Sequence, residues 1–448
     1  MILKILIVAM GLTISTYLFK KAAGTLSIRK LNLISYTFYL FVLQTYIGTS
    51  LVFLGDRKHY TMSYILHEES IPLTFFFVLL TAILFPLVMI ITHKVLGVKM
   101  DVVYDSYLKK ETTVGNEEVN FYIIAAISSV CILMMILLFM KLGYIPLFKL
   151  IHPGEGFNFN TERIIISNTV IINEYVKNIL VLSFIPIMSY IAFTYTIITK
   201  KVRWGVLFAV LFVSSIFVKT YNFAKTPVVF YLFTFILIYI FLNNGIKKIY
   251  MYSVIIGLGL IIILMYKMTG FSLMFSIHSG PIGRTIFTQV GTLIYHFDLF
   301  PTSVPFLMGR SLGGAALRLI APGLVHVRSA KVVMAFYGSR HVYDGIAGVM
   351  NAFFIGEAYA NFGSIGVIFS IIYMGVLFGG IYYIFTKKLR KNALNLVLFA
   401  ILTSDLVTAT QGGFFDFIYS ANLILIVLLF IFINYTSKFI VRYIDRKK

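Results

Sequence analysis

Residues 269–363 read TGFSLMFSIHSGPIGRTIFTQVGTLIYHFDLFPTSVPFLMGRSLGGAALRLIAPGLVHVRSAKVVMAFYGSRHVYDGIAGVMNAFFIGEAYANFG. This stretch separates eight closely spaced apolar segments from three more. It carries five arginines, four histidines, one glutamate and repeated glycines. We therefore predict a chain of membrane helices interrupted by one large polar loop, and we expect most of any chemistry to lie in that loop.

The composition is that of a membrane protein. Hydrophobic residues make up 59% of the chain and charged residues 12%. Apolar runs of roughly 20 residues recur, which is the length that crosses about 30 Å of hydrocarbon. Helices satisfy their own backbone within such runs, so the predicted fold class is all-α, a polytopic integral membrane protein. Cys131 is the single cysteine, which excludes an intrachain disulfide and a cysteine-pair metal site.

Eleven spans are predicted, within a single integral membrane domain over residues 1–448. They are residues 2–19, 31–55, 71–93, 121–140, 176–199, 204–219, 226–243, 249–268, 362–386, 393–410 and 415–437. Lysine and arginine concentrate in alternate loops, so the N-terminus is predicted outside and the C-terminus in the cytoplasm. The net charge of +21 then reflects orientation in the membrane, and no nucleic-acid partner is predicted.

Two long loops lie on the predicted outer face, at residues 141–175 and 269–361. These loops contain six arginines, although the orientation rule disfavours external cations. They are Arg163, Arg284, Arg310, Arg318, Arg328 and Arg340. A guanidinium holds phosphate through two parallel hydrogen bonds, so the set predicts a ligand that bears phosphate or another polyanion. Contact with lipid headgroups or helix ends is the alternative for each arginine.

Inside the large loop, residues 284–296 have polar residues at three- and four-residue spacing. They predict a helix with one polar stripe that lies at the interface or dips into the protein. Glu357 follows in a stretch apolar enough to enter the membrane. A carboxylate at that depth is costly unless it faces a cavity or a partner, so Glu357 is a candidate functional residue. A salt bridge to a loop arginine is the alternative.

Three short runs resemble a known family. They are GYIPLF at 143–148, NFAKTPVVFYL at 222–232 and GEAYANFGSIGVIF at 356–369. Together with the topology they are similar to the Wzy-type oligosaccharide repeat-unit polymerases of bacteria, which make O-antigen or capsule. A family pattern of arginine and glycine with fifteen residues between them is met by Arg340 and Gly356. A companion pattern in the earlier loop is not met, because Glu174 stands where glycine is expected.

The resemblance implies a GT-C-like membrane fold and a glycosyltransferase of the bacterial cytoplasmic membrane. Such an enzyme joins undecaprenyl-diphosphate-linked oligosaccharides on the outer face into a surface polysaccharide. It needs no metal and no other cofactor. The implied partners are the lipid-linked oligosaccharide and membrane lipids, together with a flippase and a chain-length regulator.

The same resemblance assigns roles to named residues. Cations stabilise the departing lipid diphosphate, and the predicted diphosphate-binding residues are Arg163, Arg284, Arg340 and Lys225. A base deprotonates the attacking sugar hydroxyl, and the predicted catalytic residues are Glu357 and, after it, His341 and Asp344. The predicted substrate-binding residues are Tyr343, Tyr359 and Asn361, with membrane-interface anchoring as the alternative for the two tyrosines.

Two other classes of protein compete with this interpretation. A transporter or flippase of lipid-linked oligosaccharide would typically show repeated halves and broken helices, and no second copy of residues 269–363 is visible. A membrane acyltransferase would need a histidine within the membrane, whereas His278, His296, His326 and His341 fall in the predicted outer loop.

Overall fold

The computed structural model describes residues 1–154, 156–168, 171–224, 226–268, 276–345, 347–415 and 420–446. Over these ranges the chain is helical, and its only extended pairing is an isolated bridge between Thr113 and Asn392. The helices are α1 (Ile2–Ala23), α2 (Leu33–Phe41), α3 (Ile47–Phe53), α4 (Ser70–Val95), α5 (Met100–Lys109), α6 (Glu117–Leu142), α7 (Pro146–Ile151), α8 (Phe159–Asn168), α9 (Glu174–Val176), α10 (Ile185–Thr199), α11 (Val202–Lys219), α12 (Thr226–Leu242), α13 (Lys248–Met268), α14 (Gly280–Gly283), α15 (Gln289–Leu299), α16 (Gly314–Ile320), α17 (Ser329–Tyr337), α18 (Ser339–Tyr343), α19 (Phe354–Tyr383), α20 (Ala393–Ala409) and α21 (Ala421–Asp445). Segments of π-helix at Val42–Tyr46, Lys177–Phe184, Arg284–Thr288 and Ile384–Lys388 extend or join some of them.

Eight helical segments of the described ranges are long and apolar enough to cross a membrane. They are Ile2–Lys30, Leu33–Phe53, Ser70–Val95, Glu117–Leu142, Glu174–Thr199, Val202–Lys219, Phe354–Lys388 and Ala421–Asp445. The prediction of an all-helical, multi-pass membrane protein is therefore confirmed at this level. Each of the eleven predicted spans also contains a helix. The count of eleven crossings, the orientation and the GT-C-like arrangement stay predictions.

The helix of the ninth predicted span begins earlier in the structure than hydropathy indicates. Helix α19 starts at Phe354, inside the predicted outer loop, and it is interrupted at Phe362 and Gly363. Gly363 has φ 60° and ψ −149°, a backbone conformation that residues with a Cβ rarely adopt. Glu357 and Asn361 therefore lie on a short helical segment before the break, instead of in a loop.

The described helices group into two compact units. The first consists of Met1–Ser106, Ser272–Lys388 and Asp405–Ser420, and the second of Tyr107–Phe271, Leu389–Ser404 and Ala421–Lys448. Most of the predicted large outer loop belongs to the first unit, whereas the predicted loop 141–175 belongs to the second.

Helix α15 is the buried centre of the first unit. Residues 290–299 are all buried, and the helix packs against α4 and α19. Phe287, Val290 and Ile294 form an apolar cluster with residues of α3, α4 and the segment between them. Thr292 of the expected polar stripe is buried too, and it donates to the carbonyl of Asn351 at 2.6 Å. The predicted helix thus lies inside the protein.

The second unit contains a polar clamp at the start of α6. The carboxylate of Glu117 accepts hydrogen bonds from Arg203 Nη2 and Trp204 Nε1, each at 2.6 Å, and it also pairs with Lys201. Trp204 is fully buried and stacks on Tyr195 with ring centroids 4.3 Å apart. The start of α11 is thereby tied to α6 and α10.

We predict that Gly48→Ala destabilises the first unit by about 1–3 kcal/mol. A Cβ at position 48 would lie 2.0 Å from the carbonyl oxygen of Ile286 and 2.7 Å from Val290 Cγ2. The backbone of α3 and the segment before α15 would therefore have to separate. Thermal unfolding of the purified protein in detergent checks this. The matched control is Gly380→Ala on α19, where a Cβ meets nothing within 4 Å. Equal stability of the two variants would contradict the prediction.

Candidate functional site

The segment between α3 and α4, residues 54–69, reads LGDRKHYTMSYILHEE and packs on α15. The hydroxyl of Tyr295 donates to the carbonyl of Thr61 at 2.6 Å. Gly291 allows this approach, because a Cβ there would lie 2.4 Å from Thr61 Oγ1. The segment is therefore seated on the buried helix. It follows one candidate span and precedes another, so it lies where those spans leave the membrane.

Asp298, near the end of α15, fixes this segment. Its side chain is fully buried. Oδ2 accepts the backbone N–H of Leu66 at 2.8 Å and the hydroxyl of Tyr337 at 2.6 Å. Oδ1 accepts the backbone N–H of His67 at 2.8 Å and the ring Nδ1 of His67 at 3.0 Å. Four donors from two distant parts of the chain thus satisfy one buried carboxylate, as burial of a charge requires.

The contact with Asp298 also sets the state of the His67 ring. Because a carboxylate only accepts, Nδ1 must carry the proton, which leaves Nε2 as the basic nitrogen. The His67 side chain is 42% exposed, and Nε2 has no hydrogen-bond partner among the described residues. A buried carboxylate that orients a half-exposed imidazole is the arrangement of a general base and its orienting group.

Tyr337 completes the cluster from α17. Its ring stacks on Tyr295 with centroids 4.1 Å apart and planes at 11°. Burial, followed by the hydrogen bond to Asp298, raises the pKa of Tyr337 well above its usual range, so the hydroxyl stays a donor. The chain continues directly into α18, which carries Arg340. The hydrogen bond from Tyr337 therefore links Asp298 to α18, which carries the predicted diphosphate-binding residue Arg340.

The segment 54–69 also takes part in a second pair of a histidine and a carboxylate. His278 Nε2 is 2.8 Å from Asp56 Oδ2. The rings of His278 and His59 both stack on Phe287, with centroids 5.3 and 5.5 Å away. Burial acts to raise the pKa of Asp56, but the hydrogen bond and charge of His278 leave it lowered. Burial and the charge of His278 lower the pKa of His59. This pair joins the segment before α15 to the same segment 54–69.

Glu357 lies in the first turn of α19 and is 3% exposed. Oε1 accepts the hydroxyl of Ser311 at 2.5 Å. Oε2 accepts the backbone N–H of Phe414, and that of Phe415 at 3.0 Å. These hydrogen bonds hold two loops in place, so the contacts of the carboxylate are those of a structural residue. Its predicted role as base stays a prediction, and the contacts favour the structural one.

Asn361 and Tyr359 are buried on the same short helical segment. Asn361 Nδ2 donates to Ser311 Oγ at 2.7 Å, and its Oδ1 accepts the backbone N–H of Gly309 at 3.0 Å. The ring of Tyr359 stacks on Phe297 with centroids 4.2 Å apart. Both side chains therefore pack inside the first unit, where a sugar could reach them only after rearrangement.

The remaining predicted residues of the late loop lie at the surface. Arg340, His341, Tyr343 and Asp344 are all exposed, and the side chain contacts among the described residues include no ion pair between them. Tyr343 is 92% exposed. These side chains are accessible to solvent, and their roles in catalysis and binding stay predictions.

The predicted diphosphate-binding cations are distributed over both units. Arg284 is exposed on the π-helical segment before α15, in the first unit, as Arg340 is. Arg163 is exposed on α8, in the second unit. Lys225 lies outside the described residues. Which of these cations act on one ligand therefore stays a prediction.

Sequence analysis missed Asp298, His67 and Tyr337. The sequence contains one indication for Asp298 and one for His67. Asp298 is a carboxylate within the apolar run TLIYHFDLF, which is the argument that was applied to Glu357. His67 lies between the second and third predicted spans, on the same predicted face as the large loop. Their pairing bridges 231 positions of sequence, and no spacing pattern shows it. Among the described residues, no group of three or more His, Cys, Asp and Glu could hold a metal ion.

Comparison with known proteins gives no relative from which a function could be taken. The chain matches no protein-family model, no curated protein and no solved structure.

We predict that Glu357→Gln lowers the stability of the protein by ~2 kcal/mol. The amide keeps the shape of the carboxylate but turns an N–H₂ group towards either Ser311 or the backbone N–H groups of Phe414 and Phe415. Towards Phe414 and Phe415, one donor then faces another; towards Ser311, the hydroxyl must accept from the amide and its own proton loses the Glu357 acceptor. Thermal unfolding in detergent measures the loss. Glu68→Gln is the control, because the Glu68 side chain is 77% exposed and contacts Arg57 at the surface. An unchanged melting temperature for Glu357→Gln would contradict the structural role.

We predict that acid weakens the fold through His296. This residue is buried on α15, and burial lowers its pKa to about 4, from an ordinary value of 6.5. Between about pH 6.5 and 4 the unfolded chain binds a proton that the folded chain excludes, so the free energy of unfolding falls as the pH falls. The loss from this group is at most ~3 kcal/mol over that range.

Melting temperatures measured across this pH range test the effect of His296. His296→Gln cannot titrate, so its melting temperature should depend less steeply on pH than that of the unmodified protein. His326→Gln, at an exposed histidine of the same loop, should leave the slope unchanged. Identical slopes for all three proteins would show that His296 does not control the acid sensitivity.

Proposed function

We propose that this protein is a glycosyltransferase that polymerises undecaprenyl-diphosphate-linked oligosaccharide units on the outer face of the bacterial cytoplasmic membrane. The pair formed by His67 and Asp298 is the observation that carries the proposal. His67 lies in a segment that joins two candidate membrane spans, and the pair supplies a base that can deprotonate a sugar hydroxyl. The family resemblance supports the choice of substrate and of product, a surface polysaccharide. We also propose the eleven crossings and the GT-C-like arrangement on that basis.

In the proposed reaction, His67 Nε2 accepts the proton of a hydroxyl on the acceptor sugar. The oxygen of that hydroxyl forms a bond to the anomeric carbon of the donor chain. The bond between that carbon and the phosphate oxygen breaks, and undecaprenyl diphosphate leaves with the electron pair. Asp298 stabilises the imidazolium that forms and holds its orientation, so the base needs no rearrangement during the step.

The leaving diphosphate requires positive charge. Arg284 and Arg340 are exposed cations of the same unit as His67, and Arg340 follows Tyr337 of the Asp298 cluster by one short turn. We assign them to the diphosphate, because a guanidinium binds phosphate oxygens in pairs. Glu357 becomes the residue that holds the loops before and after it, and His67 replaces it as the first candidate for the base.

Transport of a lipid-linked oligosaccharide remains the second candidate function. The break in α19 at Phe362 and Gly363 favours it, because carriers build their sites from interrupted helices. However, the polar side chains beside this break, Glu357 and Asn361, are engaged with Ser311 and backbone groups. A carrier site at this position would have to release those contacts for each substrate.

The test is polymerisation by the purified protein. The substrate is the lipid-linked repeat unit that accumulates in the producing bacterium after deletion of the gene, and gel analysis measures product length. We expect a ladder with the unmodified protein. His67→Gln and Asp298→Asn should lower the rate about 100- to 10,000-fold, and Arg340→Ala should lower it as well. His326→Gln is the matched control and should retain the rate within about twofold.

Each result separates two parts of the proposal. A ladder that survives His67→Gln in a folded protein would exclude His67 as the base but keep the polymerase. If no ladder forms and the lipid-linked unit crosses the bilayer of a proteoliposome, the protein is a transporter. Glu357→Gln is assayed beside these variants at a temperature below its melting point, where a structural residue leaves the rate of the folded fraction unchanged.

A further inference from the structure

A cavity of about 620 Å³ lies at the opposite end of α4 from the His67 segment. The C-terminal turn of α1, the end of α4 and the start of α5 line it. Helix α4 has 26 residues, about 39 Å at 1.5 Å per residue, so the cavity and the His67 segment are separated by the thickness of a membrane. The cavity is therefore independent of the proposed catalytic site.

Positive charge surrounds this cavity. Four lysines line it, namely Lys20, Lys21, Lys94 and Lys99, against one carboxylate, Asp101. All four are exposed, and none forms an ion pair within the described part of the chain. Lys30, close by in sequence, differs from them because it is paired with Asp105 at 2.9 Å. The cavity thus offers uncompensated cations to a ligand.

The cavity has an apolar wall as well. Tyr17, Ile90 and Val98 line it between the lysines, and Tyr17 is 65% exposed. Tyr17 and Ile90 lie on α1 and α4, both of which are candidate membrane spans. A tyrosine followed by lysines at the end of a span is the usual arrangement at the level of lipid headgroups. Cations therefore stand beside a surface that acyl chains can cover.

The floor of the cavity is held by backbone packing. Gly24 ends α1 in a left-handed conformation, with φ 76°. A Cβ at this position would lie 2.6 Å from the carbonyl oxygen of Met100. Met100 is buried, and His93 lies beneath the cavity with its ring Nε2 3.2 Å from the carbonyl oxygen of Gly379. The three helices thus meet in a fixed geometry, and the lysines are presented around a preformed space.

We propose that this cavity binds the phosphate headgroup of an anionic phospholipid, with the acyl chains along the apolar wall formed by α1 and α4. Basic pockets between membrane helices at the cytoplasmic face bind such headgroups. The apolar wall distinguishes a lipid from free phosphate, which gains nothing from Tyr17, Ile90 or Val98. This site goes beyond the proposed glycosyl transfer and does not depend on it.

The test is lipid retention by the full-length protein. The protein is reconstituted in phosphatidylcholine nanodiscs with or without phosphatidylglycerol, extracted, and examined by native mass spectrometry for bound lipid. We expect phosphatidylglycerol to remain bound in preference to phosphatidylcholine. Replacement of the four lysines by glutamine should weaken retention at least about tenfold. Val98→Trp, which fills the apolar side without changing the charge, should also reduce it.

The control removes the same charge elsewhere on the predicted cytoplasmic face. Lys247, Lys248, Lys387 and Lys438 are exposed, and their replacement by glutamine should leave retention within about twofold. Equal loss in both quadruple variants would overturn the proposal, because the lysines would then act only as general surface charge. Full retention in the cavity variants would overturn it too. Thermal stabilisation by inorganic phosphate equal to that by phosphatidylglycerol would overturn the assignment to a lipid.

Discussion

The carboxylate of Asp298 is the interaction on which the first unit depends. It is buried on α15, and an uncompensated charge at such a position would cost several kcal/mol. Two consecutive backbone N–H groups, an imidazole and a tyrosine hydroxyl satisfy it. Because these donors come from the segment before α4 and from α17, the charge can be buried only if both segments are in place. The cost of burial thereby selects one arrangement of these two segments.

Glu357 is a second buried carboxylate whose charge is satisfied by backbone N–H groups. It is also a buried carboxylate on a helix, and it also binds two consecutive backbone N–H groups, those of Phe414 and Phe415. The segment that it holds joins α20 to α21, as the segment held by Asp298 joins α3 to α4. In both cases a carboxylate on a neighbouring helix accepts two consecutive backbone N–H groups of a short connection and thereby fixes the course of its backbone.

These two carboxylates show what the sequence predicts and what it does not. Hydropathy located a helix in each of the eleven predicted spans, because the length of a membrane span follows from elementary geometry. It also singled out Glu357, since a charge in an apolar run is unusual. It did not locate the start of α19, because the residues before Glu357 are as apolar as the span itself and mark no hydropathy boundary. It did not find the partners of Glu357 or the pairing of Asp298 with His67, since those contacts depend on tertiary packing across long stretches of chain.

The backbone and the side chain of His67 both bind Asp298, but they have different roles. The backbone N–H of His67, together with that of Leu66, anchors the segment whichever side chain is present. Only the imidazole carries the proposed reactivity. A descendant of this protein that lost the histidine would keep the segment seated and the fold intact. The fold at this position is thus independent of the chemistry proposed for it, and substitution of the side chain can change that chemistry without loss of the architecture.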